Sequence, residues 1–178
     1  PRGEHVSVYA GHYHEVHMAA IKEGKSHYLT PYVKNTDIVI ANAFYKANEN
    51  LIALFATPNS LKREGGDLVL INNCPEGQVP HYYAGEWGKF SRGVGATPSQ
   101  LAPFVNNCIL YNEYKYPGSF WPMEPKEKLR QMDKWADVIT LLKKLHGDQA
   151  KVVVYPNATI QYIAITEKSR HDAVCPAH

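Results

Sequence analysis

The segment EGGDLVLINN (64–73) determines the fold class of this 178-residue chain. Its Gly65–Gly66 pair predicts a helix stop and a tight turn, because glycine adopts backbone conformations that other residues avoid. An apolar run without alternation follows, as is typical of a strand that is covered on both faces. TDIVIANA (36–43) contains a second such run, Ile38–Ile40, and predicts a further buried strand.

Working outward, short β-branched runs alternate with helical patterns along the whole chain, which is typical of a layered α/β domain. The additional strands that we predict are Val6–Ala10, NNCILYNEY (106–114), KVVVYP (151–156) and TIQYIAI (159–165). We therefore expect a three-layer α/β domain, with a mostly parallel sheet of five or six strands between helices. It would comprise residues 1–168 and be followed by a tail, 169–178.

The helices are predicted from apolar residues at helical spacing and from their start and stop signals. One helix spans His14–Glu23 and ends at Gly24. A second begins near Asn48 and is interrupted at Thr57–Pro58, with Thr57 as cap and Pro58 at the first helical position. The third and clearest runs from Glu124 to His146 and ends at Gly147. Residues 75–104 predict a long excursion with short helices, one of them starting at Thr97.

Composition excludes several classes of partner. The net charge is +2 and no basic run stands out, so we expect no nucleic-acid partner. No apolar run is long enough for a membrane span. Three cysteines, far apart, fit a reducing compartment, and we predict a cytoplasmic protein. Because the first residue is Pro1, we expect the chain to be a fragment of a longer protein.

Polar residues concentrate where the predicted strands end, and ligands of open α/β sheets bind outside the carboxyl ends of the strands. These strand ends contain Gly11, His12, His14, Asn42, Asn72, Asn73, Cys74, Glu76, Gly77, Asn112, Glu113 and Asn157. The set is interpreted either as a ligand-facing rim or as the short polar caps that strands commonly have. Cys74 is likewise either a nucleophile beside a carboxylate or a buried, inert thiol.

Three histidines, His12, His14 and His17, lie within VYAGHYHEVHMAAIKEG (8–24). His14 and His17 would face the same side of a helix, with His12 before it. Their spacing differs from the H-E-x-x-H zinc motif, and a metal site would need further ligands from elsewhere. The alternative is that they are histidines at a helix start that bond to backbone or to each other. They are weak metal candidates.

Four segments together resemble the C-terminal domain of the nickel-pincer lactate racemase (LarA-like) family, over about residues 6–165. The segments are YAGHYHEVHMAAIKEG (9–24), TDIVIANAFYKANENL (36–51), LKREGGDLVLINNCPEG (61–77) and KVVVYPNATIQYI (151–163), in the order found in the family. His17 has the Gly-to-His spacing of the family pattern. The resemblance implies a two-domain protein whose N-terminal lobe is absent from this chain and is its partner. That lobe would hold the nickel-pincer nucleotide and the proton-transferring histidines, so the resemblance implies no cofactor and no catalytic residue here.

In the family, the helix after the DIVI strand presents a Tyr-Gln-x-x-Lys segment to the substrate. The corresponding helix here is NENLIALFATPN (48–59), and no lysine lies between Lys46 and Lys62. A lysine at that position would bind a substrate carboxylate by a charge-assisted hydrogen bond, which contributes roughly 1.5–3 kcal/mol. Its loss is a reason to consider more than one function.

Three functions follow. The first is a cleft-forming domain, inactive alone, of a racemase or epimerase acting on a 2-hydroxy acid or a related small polar substrate. Its predicted substrate-binding residues are Asn42, Glu49, Asn50, Asn73, Glu76 and Gly77. The second is a non-catalytic ligand-binding or closure domain that has lost the family chemistry. The third is a free-standing metal-binding module built on the three histidines.

Overall fold

The structure, a computed structural model, describes residues 5–54, 56–75, 77, 99–114 and 123–164. Its strands are β1 Leu29–Thr30, β2 Ile38–Asn42, β3 Gly66–Ile71, β4 Ser99–Gln100, β5 Val105–Tyr111, β6 Met123–Glu124, β7 Leu129–Met132, β8 Val152–Tyr155 and β9 Tyr162–Ile163. Its helices are α1 Tyr13–Tyr28, α2 Trp135–His146 and three 3₁₀ segments, Phe44–Leu54, Thr57–Ser60 and Lys126–Lys128.

Five strands form one sheet in the order β7-β5-β3-β2-β8, and every neighbouring pair is parallel. The two strands predicted from unbroken apolar runs, β2 and β3, lie at its centre. Their residues are buried on both faces, as the absence of alternation in the sequence indicated. Two short parallel pairs, β1-β9 and β4-β6, lie outside this sheet.

Each face of the sheet has its own apolar layer. On one face Ile38, Val69 and Ile109 pack with Val138 and Leu142 of α2. The opposite face is covered by 3₁₀ and extended segments, and the buried residues of this second cluster include Val39, Ala41, Leu68, Leu70, Leu110, Ala53, Leu61 and Met123. The three-layer α/β fold with a parallel five-stranded sheet is thus confirmed.

The glycine pair before β3 has the two roles that its position requires. Gly65 has φ +123°, in the region that side chains disfavour. Gly66 needs its missing side chain for a different reason: a Cβ there would lie 2.7 Å from the carbonyl oxygen of Asp37. The close approach lets β3 pair directly with the start of β2.

Two predicted boundaries near the amino terminus are wrong. Val6–Ala10 is not a strand, and Val6 and Val8 are 75% and 81% exposed. A β-branched run forms a strand only where a neighbouring strand offers hydrogen bonds, and none of the described strands does so here. Helix α1 does not end at Gly24 but continues to Tyr28, because an interior glycine costs a helix only about 1 kcal/mol.

The predicted helix Glu124–His146 is correct only from Trp135 onward. Its first half contains β6, a 3₁₀ turn and β7, which pairs with the edge of β5. Leu129 and Met132 have the three-residue spacing of a helix, but this segment forms a strand because β5 offers it an edge for backbone hydrogen bonds. Gly147 ends the helix as predicted, with φ +69°.

Three further predictions need correction. The helix expected near Asn48 is a 3₁₀ segment that starts at Phe44 and contains non-helical dihedrals at Lys46 and Glu49. Thr57 is not a cap: its hydroxyl donates to the carbonyl of Ala53, while Pro58 does lie at the start of the next 3₁₀ helix. Of the predicted strand TIQYIAI (159–165), the structure describes residues 159–164, and within these Tyr162–Ile163 is the strand.

Some predictions lie outside the described residues. These are the helix start at Thr97, most of the excursion over 75–104, and the tail 169–178. None of the helices that the structure describes is long and apolar enough to cross a membrane.

Candidate functional site

Because the five strands are parallel, their carboxyl ends meet at one edge of the sheet, which we call the carboxyl edge. The ladder of backbone hydrogen bonds continues one residue beyond the strands. The amide of Ala43 donates to Ile71, that of Asn72 to Tyr111 (both 2.9 Å), and that of Asn112 to Met132 (3.0 Å). Ala43, Asn72 and Asn112 therefore lie side by side.

These three residues, the carboxyl-edge row, share one face of the sheet. Ile71 is in register with Asn42 of β2 and with Tyr111 of β5, so the side chains of these three residues are on the same face of the sheet. Side chains alternate along a strand, so the next residues, Ala43, Asn72 and Asn112, are on the other face. That opposite face is the one that carries Ala41, Leu70 and Leu110. The row is thus the last layer of side chains before the carboxyl edge.

The amide groups of the row are buried but incompletely hydrogen-bonded. Asn72 and Asn112 are 0% and 1% exposed. Neither Oδ1 nor Nδ2 of Asn72, nor Nδ2 of Asn112, has a hydrogen-bond partner in the structure. Oδ1 of Asn112 accepts from the amide of Tyr114 at 2.9 Å. A buried polar group without a partner costs about 1–3 kcal/mol, and such groups are few in folded proteins. They indicate a missing hydrogen-bonding group.

A third unpartnered group lies across the row. Thr159, in the turn after β8, is buried, and its Oγ1 also has no partner. The turn is joined to the carboxyl edge by the amide of Ala158, which donates to the carbonyl of Asn42 at 2.8 Å. Between the two asparagines and this turn the row has only the methyl group of Ala43.

The predicted residues Asn42 and Asn73 are at this edge, but their side chains have structural partners. Oδ1 of Asn42 accepts from the amide of Phe44, and Oδ1 of Asn73 accepts from the amide of Glu113, both at 3.0 Å. The second bond links the ends of β3 and β5. Both residues therefore shape the rim through backbone contacts.

Gly77 closes a tight turn after β3. It is buried, has φ +76°, and donates its amide hydrogen to the carbonyl of Cys74 at 3.1 Å. In return the thiol of Cys74 donates to the carbonyl of Gly77. Glu76 lies outside the described residues.

Glu49 and Asn50 are on the 3₁₀ segment that follows β2 and contacts β3. Glu49 is half-buried and its carboxylate lies 3.8 Å from the ammonium group of Lys46. Asn50 is fully buried. The structure thus brings both predicted residues close to the central strands, next to the face that carries the carboxyl-edge row.

Lys62 lies at the opposite, amino edge of the sheet. It donates to the carboxylate of Asp37, which precedes β2 and also accepts from the backbone amide of Lys151 at 2.8 Å. The hydrogen bond from Lys62 lowers the pKa of Asp37, and the same bond raises the pKa of Lys62. Lys62 is therefore paired with a carboxylate at the amino edge, and it does not reach a ligand that binds at the carboxyl edge.

The charge at the carboxyl edge itself is neutral to negative in the described part. Glu113 is exposed and accepts a 2.6 Å hydrogen bond from the hydroxyl of Tyr111. This hydrogen bond is the main reason why the pKa of Tyr111 is raised. Lys46, which follows β2, already contacts Glu49. The edge thus offers amide donors and acceptors instead of a cation.

The three histidines are at the start of α1 and are exposed. The ring of His12 packs on that of Tyr13, with centroids 4.6 Å apart, and the carbonyl of His12 accepts from the amide of Val16. Among the described residues, no group of three or more His, Cys, Asp or Glu side chains could hold a metal ion. The geometry gives the metal-module interpretation no support.

Cys74 and Cys108 are both buried. Burial raises the pKa of the Cys108 thiol to about 12, so it remains protonated at neutral pH and is a poor nucleophile. Cys74 is engaged with Gly77, as above. The inert-thiol interpretation of Cys74 agrees with this packing.

Sequence reasoning placed Asn72 and Asn112 at strand ends but did not select them or Thr159 as binding residues. The available signal was positional, because each asparagine directly follows a buried apolar run in neighbouring strands. The deciding property, an amide buried without a partner, depends on contacts between strands that are 40 residues apart. No local pattern carries it.

No protein-family model matches this chain, and no curated protein matches it. A solved structure does: the lactate racemase apoprotein from Thermoanaerobacterium thermosaccharolyticum, with a TM-score of 0.61 and 16% sequence identity. The match covers 90% of this chain and 43% of that chain, so this chain spans less than half of that protein's length. At this identity the comparison shows a shared fold, and the chain has a lactate racemase-like fold.

Proposed function

We propose that this chain is the C-terminal, cleft-forming domain of a LarA-like racemase or epimerase. The substrate would be a 2-hydroxy acid or a related small polar molecule, bound at the carboxyl edge. The observation that carries the proposal is that three buried amide atoms, Oδ1 and Nδ2 of Asn72 and Nδ2 of Asn112, have no partner at the edge where open α/β sheets bind ligands. The lactate racemase-like fold supports it.

The residues at this edge suit binding better than proton transfer. Racemisation removes a proton from carbon and returns it, which needs a positioned base within hydrogen-bonding reach of that carbon. The described carboxyl edge presents amides and a hydroxyl, and its carboxylate, Glu113, already accepts from Tyr111. We therefore propose that the base, and a nickel-pincer nucleotide, belong to an N-terminal lobe that faces this edge. The described residues contain no cluster that would ligate the nickel.

Substrate binding would involve the predicted residues in different ways. Asn42, Asn73 and Gly77 would present backbone groups and form the rim, while Glu49 and Asn50 would approach from the 3₁₀ segment. Glu76 stays in the proposed set on the basis of its sequence position alone. Asn72 and Asn112 join the set on geometry.

The test measures interconversion of the two enantiomers of a 2-hydroxy acid by chiral chromatography. The full-length polypeptide that contains these residues should interconvert them, whereas the 178-residue chain alone should bind the acid without converting it. Conversion catalysed by the chain alone would contradict the proposal, since the chain would then contain its own base.

A matched pair of variants locates the site. In the full-length protein, Asn72→Ala should lower kcat/KM about 10-fold, the effect of one hydrogen bond to the ligand. Asn106→Ala changes the same residue type at the amino end of β5, where it is exposed, and should leave kcat/KM unchanged. Equal effects of the two substitutions would place the site elsewhere.

The alternative function is a non-catalytic ligand-binding or closure domain that has lost the family chemistry. One observation favours it: Lys62, which bounds the segment where the family places its lysine, pairs with Asp37 at the opposite edge. A full-length protein that binds a 2-hydroxy acid but does not interconvert its enantiomers would support this function over the first.

We also propose a cytoplasmic location. Its support is the sparse cysteine content of the sequence. Fractionation of cells that produce the protein would test it, and recovery outside the cytoplasmic fraction would contradict it.

A further inference from the structure

We propose that Asn72 and Asn112 form a subsite for an uncharged hydroxyl group of the ligand. The substrate would then carry at least one hydroxyl in addition to the one on C2. This inference rests on the proposed function, because it assumes that the ligand binds at the carboxyl edge. It adds a chemical class that neither the fold nor the sequence resemblance specifies.

The geometry lets one ligand group contact both amides. Asn72 and Asn112 are neighbours on adjacent parallel strands, joined by the backbone bond from Asn72 to Tyr111, and their side chains share a face. Adjacent strands lie about 4.8 Å apart. A single oxygen placed between the two side chains is within hydrogen-bonding distance of both.

The chemistry of the unpartnered atoms selects a hydroxyl. Oδ1 of Asn72 needs a donor, while Nδ2 of Asn72 and Nδ2 of Asn112 need an acceptor. A hydroxyl both donates and accepts, so one hydroxyl can donate to Oδ1 of Asn72 and accept from Nδ2 of Asn112. A carboxylate accepts only and would leave the oxygen of Asn72 unpaired. A methyl group would leave all three unpaired.

Charge supports the same choice. The described residues of the carboxyl edge include no cation that is free of a carboxylate partner, since Lys46 contacts Glu49. Burying an anion beside neutral amides and the carboxylate of Glu113 is unfavourable, whereas a neutral hydroxyl carries no such penalty. The carboxylate of the substrate would therefore lie outside this subsite.

The neighbouring strand ends supply a further polar group. Ala43 has only a methyl group beside Asn72, and beyond it lies the unpartnered hydroxyl of Thr159. A second hydroxyl of the ligand would contact Thr159. Asn112, Asn72 and Thr159 together would therefore bind hydroxyl groups along a hydroxylated carbon chain.

The first experiment uses two acids that differ in one group. Glycerate is lactate with CH₂OH in place of CH₃, so the pair isolates one hydroxyl. Titration of the 178-residue chain by calorimetry should show glycerate binding about 10-fold more tightly than lactate, the difference expected for one well-made hydrogen bond. Asn72→Leu should abolish the preference, whereas Asn106→Leu should retain it.

The second experiment measures the ligand-free chain. Leucine has nearly the shape of asparagine, so Asn72→Leu removes two buried unpartnered atoms without opening a cavity. The thermal midpoint of Asn72→Leu should rise by a few degrees, and that of Asn106→Leu should not. A lower midpoint for Asn72→Leu would overturn the subsite, because the amide would then have partners within the chain.

The outcomes separate this inference from the proposed function. Equal affinity for the two acids, or binding of neither, overturns the subsite. A full-length protein that interconverts the enantiomers of both acids with equal kcat/KM also overturns the subsite but keeps the reaction. One that binds glycerate more tightly and racemises neither acid keeps the subsite and loses the reaction.

Discussion

At the scale of single residues, two adjacent asparagines show how strand alternation divides roles. Asn73 is exposed, and its side chain bridges two strand ends through the amide of Glu113. Asn72 faces the other way, is fully buried, and its amide has no partner. Substituting Asn72 and substituting Asn73 should therefore have different consequences, although nothing in the sequence distinguishes the two residues.

Asp37 is the residue for which pH should matter. The hydrogen bond from Lys62, followed by that from the amide of Lys151, lowers its pKa in the folded state. With the folded pKa below the unfolded value of about 3.9, its stabilisation is present above that pH and is lost as pH falls through the folded pKa. Asp37→Asn should therefore lower the free energy of unfolding by about 1 kcal/mol at pH 7, a small effect because both side chains contact solvent.

Urea denaturation of Asp37→Asn and the unmodified chain at pH 7, 5 and 3 measures this effect. The difference between the two proteins should be constant from pH 7 to 5 and should diminish at pH 3. Asp148→Asn is the control, because its ion pair with Lys143 is long, at 4.0 Å, and exposed. A difference for Asp37→Asn that does not change with pH would exclude the carboxylate as its cause.

At the scale of elements, the two α-helices differ in what they bury. Helix α2 buries Val138 and Leu142 against the sheet, whereas α1 buries none of its residues. Both have apolar residues at helical spacing. The difference arises because α2 follows β7 and lies directly on one face of the sheet, while α1 contacts the short strands β1 and β9.

Leu142 should contribute strongly to stability. It is 5% exposed and belongs to the cluster formed with Ile38, Val69 and Ile109. Leu142→Ala should lower the free energy of unfolding by about 2–5 kcal/mol, because it removes buried methyl groups and leaves a cavity. Leu145→Ala, on the same helix at 47% exposure, should change it by less than about 0.5 kcal/mol. Guanidinium denaturation measures the free energy of unfolding of both variants. An equal decrease for Leu142→Ala and Leu145→Ala would contradict the packing of α2.

Gly66 and Gly24 should respond in opposite ways to alanine. A Cβ at Gly66 would meet the carbonyl oxygen of Asp37 at 2.7 Å and Leu61 at 2.8 Å, and the backbone atom cannot move aside. Gly66→Ala should therefore lower the free energy of unfolding by about 1–3 kcal/mol. A Cβ at Gly24 would have no neighbouring atom within 4 Å, so Gly24→Ala should stabilise α1 by about 0.5–1 kcal/mol.

Thermal denaturation reports on Gly66→Ala, and hydrogen exchange of the α1 amides reports on Gly24→Ala. A neutral Gly66→Ala would show that β2 and β3 are further apart than described. Faster exchange in α1 after Gly24→Ala would show that the glycine is required there.

At the scale of the whole molecule, stability is concentrated in the central sheet. The two apolar clusters lie on its two faces, and β2, β3 and β5 contribute to both. Helix α1 and the pair β1-β9 lie outside this core. The carboxyl edge is therefore held by the most buried strands, which suits a binding site that must keep its geometry.

Hydrogen exchange should follow this distribution. In the 178-residue chain the amides of β3 should exchange slowest, because they open only with global unfolding, and those of α1 fastest among the helices. A 16-residue helix with no buried residue gains little tertiary stabilisation. Mass-spectrometric exchange at pH 7 tests this, and equal protection of α1 and β3 would indicate that α1 is covered by another part of the protein.

The candidate site was accessible to sequence reasoning only in part. The unbroken apolar runs identified β2 and β3, and the parallel arrangement placed Asn42, Asn72, Asn73 and Asn112 at one edge. The sequence could not distinguish Asn73, whose side chain is held by Glu113, from Asn72, whose amide is left without a partner. Hydrogen-bond satisfaction depends on groups that are far apart in the chain.

The amino-acid sequence by itself determined the α/β class, the central strands and the glycine turn before β3. These follow from local chemistry: an uninterrupted apolar run must be covered on both faces, and Gly65 adopts a dihedral closed to side chains. Only the tertiary structure decided that Leu129–Met132 is a strand, that Val6–Ala10 is not, and that Asn72 is buried without a partner. Each of these depends on whether a distant strand offers or withholds hydrogen bonds, which no local pattern encodes.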